Sequence, residues 1–249
     1  MHQAGLVSVS FRALSFEQVI AAAADAELSY IEWGSDVHAP CTDSSRLRAI
    51  AAAQDAAGIR CSSYGTYFRL GSNPITELTA YFDAARQLGT DTLRLWCGTR
   101  GSAEYSPPQL QQLYDDCRAA AAIAEDAGIT LCMECHNGTL TDTASAALAL
   151  MRAVDSPAFR MYYQPNQLRT VQENIDYARC LAPYTRHVHV FHWRGRDKFP
   201  LREGLSDWNR YLAALGGQRM LLLEFMPDDR VQSLKTEAAA LRELIGGCV

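Results

Sequence analysis

The chain has 249 residues, 48% of them hydrophobic and 20% charged, which is the balance of a folded globular protein and not of a disordered, collagenous or coiled-coil one. Twenty-three Lys and Arg against 28 Asp and Glu leave a formal charge of −5 with no basic run, which argues against nucleic acid and anionic membranes as partners. The longest apolar stretches, at 20–24 and 220–223, fall far short of the ~20 residues that cross a bilayer.

Short apolar runs alternate with longer helix-like segments from end to end, the signature of a repeated βα unit and a parallel sheet. The strand-like runs fall at 6–11, 30–33, 59–64, 92–96, 129–134, 159–164, 186–190 and 220–224, and an Ala- or Leu-rich helical segment follows each. Eight units are the number that closes a barrel. Ser15-Phe-Glu-Gln18 and Ser106-Pro-Pro-Gln109 read as capped helix starts, the second with Pro at the first helical position. Ala57-Gly58-Ile59 and Ala127-Gly128-Ile129 each place a Gly where a helix stops in left-handed geometry just before a strand. No linker or low-complexity tract divides residues 1–249, so the expectation is one (β/α)8 domain with its active site at the C-terminal ends of the strands. The rival, a doubly wound open sheet, lacks its usual Gly-rich first turn.

In such a barrel alternate side chains of a strand point inward. Over 129–134 the odd positions Ile129, Leu131 and Met133 are bulky and apolar, so Thr130, Cys132 and Glu134 face in. The same reading turns Arg160, Tyr162 and Gln164 inward, then His187 and His189, and it ends the last strand on an inward Glu224. Four consecutive strands thereby bring Glu134, Gln164, His189 and Glu224 to one half of the rim. Two carboxylates, an imidazole and an amide oxygen suit one divalent ion such as Mn²⁺ (favoured), Mg²⁺, Co²⁺ or Zn²⁺. Two ionised Glu offset its charge, whereas without it they would repel.

Apart from His2, every histidine (His38, His136, His187, His189, His192) sits at or just after the C-terminal end of a strand-like run. His187, one layer deeper than His189, reads as a packing residue, while His38, His136 and His192 are candidates to face substrate. Trp33, Tyr64, Tyr67, Phe68, Trp96, Trp193 and Phe225 crowd the same rim, where aromatics serve equally for stacking on sugar faces and for lid packing. Tyr64 and Trp96 are taken as substrate-binding candidates, and so are Arg194 and Arg196, which can fix a hydroxyl or a phosphate. The Cys132-x-x-Cys135 pair stands alone, and its odd spacing puts the thiols on opposite sides of a strand, so it reads as two buried hydrophobes. Eight scattered cysteines, Cys248 among them, form no disulfide framework, and with no signal-peptide pattern the expected compartment is the cytoplasm.

The segments Glu32-Trp-Gly-Ser-Asp-Val-His-Ala-Pro40, Glu134-Cys-His-Asn-Gly-Thr-Leu-Thr-Asp-Thr143, Tyr163-Gln-Pro-Asn166, His187-Val-His-Val-Phe-His-Trp193 and Leu223-Glu224 resemble the xylose isomerase-like TIM barrels, a superfamily of sugar epimerases, hydroxypyruvate isomerase, inosose dehydratase and apurinic endonucleases. The resemblance spans nearly the whole chain. It implies one metal held by Glu134, Gln164, His189 and Glu224, with the two Glu doubling as proton-transfer groups on opposite faces of a bound sugar. Gln164 departs from the commoner Asp and makes the site less negative, and His192 stands where many members have Asp.

The implied activity is that of a metal-dependent isomerase or epimerase of a monosaccharide or keto sugar, in which proton removal next to a carbonyl leaves an enediolate. Elimination from the same intermediate makes a lyase the first alternative, either inosose dehydratase-like or a C-glycoside-cleaving subunit acting on 3-keto glycosides. Residues 62–69 with Trp33 and Trp96 resemble the large subunits of the latter, which would add a small partner subunit. An apurinic endonuclease-like enzyme, suggested by residues 37–40, is disfavoured by charge, and a sugar-binding barrel without catalysis is the remaining reading. The expected partner is a small sugar. Apolar residues on the outer helices fit a homo-oligomer as well as helix-on-barrel packing.

Overall fold

In a computed structural model, residues 2–247 are described; Cys248 lies outside them. Strands β1 (Gln3–Val7), β2 (Tyr30–Gly34), β3 (Arg60–Leu70), β4 (Thr92–Cys97), β5 (Thr130–Glu134), β6 (Phe159–Tyr163), β7 (Thr185–Val190) and β10 (Met220–Leu223) pair in parallel into a closed barrel. Helices α1 (Phe16–Asp25), α2 (Ser44–Ala56), α3 (Leu78–Leu88), α4 (Pro107–Asp126), α5 (Ala144–Val154), α6 (Val171–Leu181), α7 (Leu205–Leu215) and α8 (Leu234–Gly246) alternate with them. The architecture is a (β/α)8 barrel. A two-stranded antiparallel hairpin, β8 (Trp193–Arg194) and β9 (Asp197–Lys198), stands in the loop after β7. No helix among the described residues is long and apolar enough to cross a membrane.

Local chemistry sets the element ends. At the start of α1 the Gln18 amide N–H donates to Ser15 Oγ, and the Gln18 side chain accepts from the Ser15 amide at 2.9 Å. Gln109 closes the same loop on Ser106 ahead of α4, whose first residue is Pro107. Gly58 and Gly128, both at φ +68°, take the left-handed turn from helix to strand.

Two strands differ from their sequence expectation. The first runs Gln3–Val7, not 6–11, and Ser8–Phe11 forms a 3-10 turn. All four residues of that turn are buried, so an apolar run marks it as inside without distinguishing strand from turn; the parallel pairing of Gln3–Leu6 with β10 makes the choice. The third strand continues to Leu70, and its register against β4 shifts between Gly65 and Arg69. That extension carries Tyr67 and Arg69 onto the rim.

Inward and outward faces pack separately. Leu131, Met133, Met161, Val188 and Leu221 join the layer between barrel and helices, whereas Val7, Tyr30, Cys132, Tyr162, Met220 and Leu222 form a small apolar plug inside the barrel. Cys132 is in the plug and Cys135 in the outer layer, as their odd spacing requires. Strands β1, β2 and β10 approach so closely that a Cβ on Gly5 would lie 2.6 Å from Leu222 Cδ2 and 2.7 Å from the Tyr30 carbonyl oxygen. Gly5→Ala is therefore expected to destabilise the barrel by ~1–3 kcal/mol, measured by urea unfolding; an unchanged midpoint would contradict this close approach.

Candidate active site

Glu134 ends β5, Gln164 follows β6, His189 is the fifth residue of β7, and Glu224 follows β10. Each was expected to face inward, and the structure brings the four together. His189 Nδ1 lies 3.1 Å from Gln164 Oε1, 3.6 Å from Glu224 Oε2 and 3.9 Å from Glu134 Oε1. The His189 side chain has no exposure, and those of the two Glu have 6% and 9%. The second oxygen of Glu134 accepts a hydrogen bond from the Trp96 indole at 2.6 Å and faces Arg94 Nη1 at 3.2 Å.

Beneath this cluster lie two charged residues that sequence reasoning did not select. Glu32 of β2 is fully buried: Oε2 accepts from Ser63 Oγ at 3.0 Å and faces His189 Nε2 at 3.3 Å, while Oε1 faces Arg94 Nε at 3.5 Å. Arg94 of β4, 3% exposed, also donates from Nη1 to the Thr66 carbonyl at 3.0 Å. Both had a signal in the sequence. Each is a charge between two large apolar neighbours (Ile31 and Trp33, Leu93 and Leu95) in a strand-like run, and such a residue faces into the barrel because it is excluded from the helix layer.

The electrostatics follow from placing three carboxylates around one guanidinium. Burial alone would raise Glu32, but the charge and hydrogen bond of His189 and the charge of Arg94 outweigh it and hold the carboxyl far below the usual carboxylate range. Burial, with Glu134 adding to it against the pull of His189 and Arg94, pushes Glu224 up to about 7. Burial would lower His189, yet Glu224, Glu32 and Glu134 raise it to about 9. The cluster thus offsets its excess negative charge by holding protons on Glu224 and His189.

Above the cluster opens a cavity of about 280 Å³ lined by Arg12, Tyr67, Trp96, His136, Trp193 and Phe225 among others. Trp96 meets Tyr67 edge to face at 5.3 Å and His136 at 5.3 Å, and Trp193 packs on Phe225 at 5.6 Å. Lys198 of the hairpin lies 5.4 Å from both of those last two rings and pairs with Asp229. The size is that of a pocket for a small-molecule ligand.

Of the other sequence candidates, His136 and Trp96 line this cavity. His38 does not: it is fully buried, with Nδ1 on Ser8 Oγ at 3.2 Å and Nε2 on the Leu14 carbonyl at 3.1 Å, so both nitrogens are committed to holding loops together. Tyr64 belongs to the outer layer, its hydroxyl donating to the Ala39 carbonyl at 2.5 Å. His192 and Arg194 line a separate recess of about 290 Å³ beyond Trp193, where His192 packs on Phe199 and against Gly204. Arg196, exposed in the hairpin turn, lines neither. None of these five lines the cavity, because proximity in sequence to a strand end does not say to which side a side chain points.

The charge arrangement carries a pH dependence for the metal-free protein. Glu224 and His189 are raised, so the stability they lend is held at low pH and lost as pH rises, from about 4.5 through about 7 for the carboxyl and from about 6.5 through about 9 for the imidazole. Glu32 is lowered and acts oppositely, losing its contribution only below about 4.5. In chelator, Tm by circular dichroism is expected to fall by ~5 °C or more between pH 6 and pH 9.5; a flat or rising profile would show that the two groups are not raised.

The chain matches the family model for the xylose isomerase-like TIM barrel over residues 20–244. It is 26% identical over 101 residues to a 3-dehydroshikimate dehydratase of Bacillus anthracis, a match covering 40% of this chain and 36% of that protein. The crystal structure of the probable 3-DHS dehydratase involved in petrobactin synthesis in Bacillus anthracis superposes with a TM-score of 0.79 at 19% identity, over 97% of this chain and 99% of that one. D-psicose 3-epimerase, solved in the presence of D-fructose, gives a TM-score of 0.72 at 14% identity over 99% of both chains. With nine-tenths of its length under the family model and a closed barrel whose strand ends converge on one polar cluster, the chain belongs to the xylose isomerase-like TIM barrel family.

Proposed function

We propose that this protein is a divalent-metal-dependent isomerase or epimerase that moves a proton next to a carbonyl of a monosaccharide or keto sugar. The observation that carries the reading is the pair of buried carboxylates, Glu134 and Glu224, standing on strands three apart around the barrel with His189 between them.

The residues fit a cation in donor type and in charge. Glu134, Gln164, His189 and Glu224 offer three oxygens and a nitrogen to one point. Glu32, Glu134 and Glu224 carry three negative charges when ionised and Arg94 one positive, so a divalent ion brings the buried set to neutrality with His189 uncharged. Among the described residues no group of three or more His, Cys, Asp or Glu side chains is already arranged to hold a metal ion, so on this reading Glu134, His189 and Glu224 would close in around the cation with the amide oxygen of Gln164 as fourth donor. Such a cation would polarise the carbonyl and offset the charge left on oxygen when the proton departs.

The protein's own groups do the rest. Glu224 lines the cavity beside His189, where its carboxylate, ionised when a cation is bound, can take a proton from a substrate and return it. Glu134, held by Trp96 and Arg94, faces the substrate from the other side and supplies the second proton site. Two groups on opposite faces of one carbon epimerise it, and transfer between neighbouring carbons isomerises aldose and ketose. Trp96, Trp193 and Phe225 wall the cavity and give a sugar apolar faces to stack on. A second reading, elimination of water after the same proton removal, is supported by the sequence match to a dehydratase.

Deuterium uptake from D₂O tests the first step for either outcome. With Mn²⁺ present, exchange next to the carbonyl is expected in at least one of a panel of ketoses, aldoses, 3-keto sugars and 3-dehydroshikimate, and chelator should abolish it. Product analysis then separates epimer, isomer and dehydrated product. Glu134→Gln and Glu224→Gln should each lower the exchange rate ~10²–10⁴-fold. No exchange on any of the panel, or exchange indifferent to chelator, overturns the reading. Mn²⁺ should also raise Tm, and more at pH 9 than at pH 6, because it replaces the protons that Glu224 and His189 lose over that range; an equal effect at both values would place the ion elsewhere.

A further inference from the structure

Glu32 enters the chemistry just described only as a charge and moves no proton in it. It does not line the cavity and has no exposed surface, so no substrate touches it. A buried carboxylate is costly unless each of its oxygens is engaged, and here each is: Oε2 with Ser63 and His189, Oε1 with Arg94. The position is also built for it. A Cβ at residue 65 would sit 2.6 Å from Glu32 Oε1 and 3.1 Å from Arg94 Nη2, so the glycine leaves the space the pair fills. Tyr162 closes the other side, its ring 4.7 Å from the His189 ring and its hydroxyl donating to Ser63 Oγ at 2.6 Å.

We infer that Glu32 is a positioning residue for the metal-site histidine: by accepting from His189 Nε2 it fixes the tautomer and ring plane that direct the Nδ1 lone pair at a cation held among Gln164, Glu134 and Glu224. This rests on the metal reading above. A neutral imidazole has one N–H and one lone pair, and an ionised carboxylate only accepts, so a carboxylate at Nε2 assigns the hydrogen to that nitrogen and leaves Nδ1 free to ligate. Arg94 ties the two levels together, touching Glu32 below and Glu134 above, so the same buried ion pair also orients the first carboxylate of the site.

Loss of the Glu32 charge would by itself weaken a nearby cation site, so metal affinity is read together with the His189 tautomer, which a mere counter-ion to Arg94 would not fix. Mn²⁺ binding is measured by electron paramagnetic resonance on the full chain and on Glu32→Gln, with folding checked by circular dichroism. The expected result is ~10–100-fold weaker Mn²⁺ binding in the folded variant. Unchanged affinity overturns the inference while leaving the metal reading intact. A parent protein that binds no Mn²⁺ overturns both. The tautomer is read on the parent, and decides even where Glu32→Gln fails to fold: ¹⁵N-histidine spectra of the Mg²⁺-loaded protein, with His189 assigned by its loss in His189→Asn, should show its hydrogen on Nε2. A hydrogen on Nδ1 overturns the inference.

Discussion

Three carboxylates and one guanidinium enclosed in a barrel of apolar strands are the constraint on which the rest of the site depends. The side chains of Glu32, Glu134 and Glu224 are each at most 9% exposed and that of Arg94 is 3% exposed, so water does little to screen them. The surplus of negative charge has to be met from inside. In the metal-free protein it is met by protons on Glu224 and His189, and this is why a carboxyl is raised while an imidazole beside it is raised too, two shifts that burial alone would drive in opposite directions. On the proposed reading a divalent cation would meet the same deficit, so proton and metal would compete for one task.

Much of the local backbone serves this arrangement. The interior plug of Val7, Tyr30, Cys132, Tyr162, Met220 and Leu222 fills the barrel below the charges and keeps solvent from reaching them from the N-terminal end. Gly65 leaves the space in which Glu32 and Arg94 meet. The register shift in β3 past Gly65 releases the strand from its partner and lifts Tyr67 into the cavity wall, where it meets Trp96 and pairs with Arg12. The hairpin after β7, anchored through Lys198 to Asp229, closes the opposite wall with Trp193. Polar chemistry at the floor and aromatic surface at the sides are the two things a polyhydroxylated substrate requires, hydrogen-bonding groups for its edges and apolar planes for its faces.

What separates epimerisation, isomerisation and elimination is which atom of the substrate receives or loses the next group after the first proton leaves. On the proposed reading all three would start from the same pair of carboxylates, and the choice would be made by how the substrate sits against Trp96, His136 and Phe225, which line the cavity. Solved structures that share this barrel include a D-psicose 3-epimerase and a probable 3-DHS dehydratase, so one fold carries more than one of these outcomes.

The repeated alternation of apolar runs and helices determined the eight-unit barrel, because a parallel strand buried on both faces needs a helix after each strand and closes at that number. Strict parity on β5, β6, β7 and β10 determined that Glu134, Gln164, His189 and Glu224 share the inner face, since a two-residue repeat leaves no other side for them. The same rule applied to Ile31-Glu32-Trp33 and Leu93-Arg94-Leu95 contains the two buried charges, although a lone charge in a strand gives no hint of its partner 62 residues away. Loops obey no such period. Tertiary structure alone turned His38 into a bracket between Ser8 and Leu14 and put His192 and Arg194 in a recess of their own, because the side a loop residue faces is set by what packs against it across the chain. It alone converted 6–11 into a strand followed by a 3-10 turn, since burial is common to both and only pairing with β10 and β2 tells them apart.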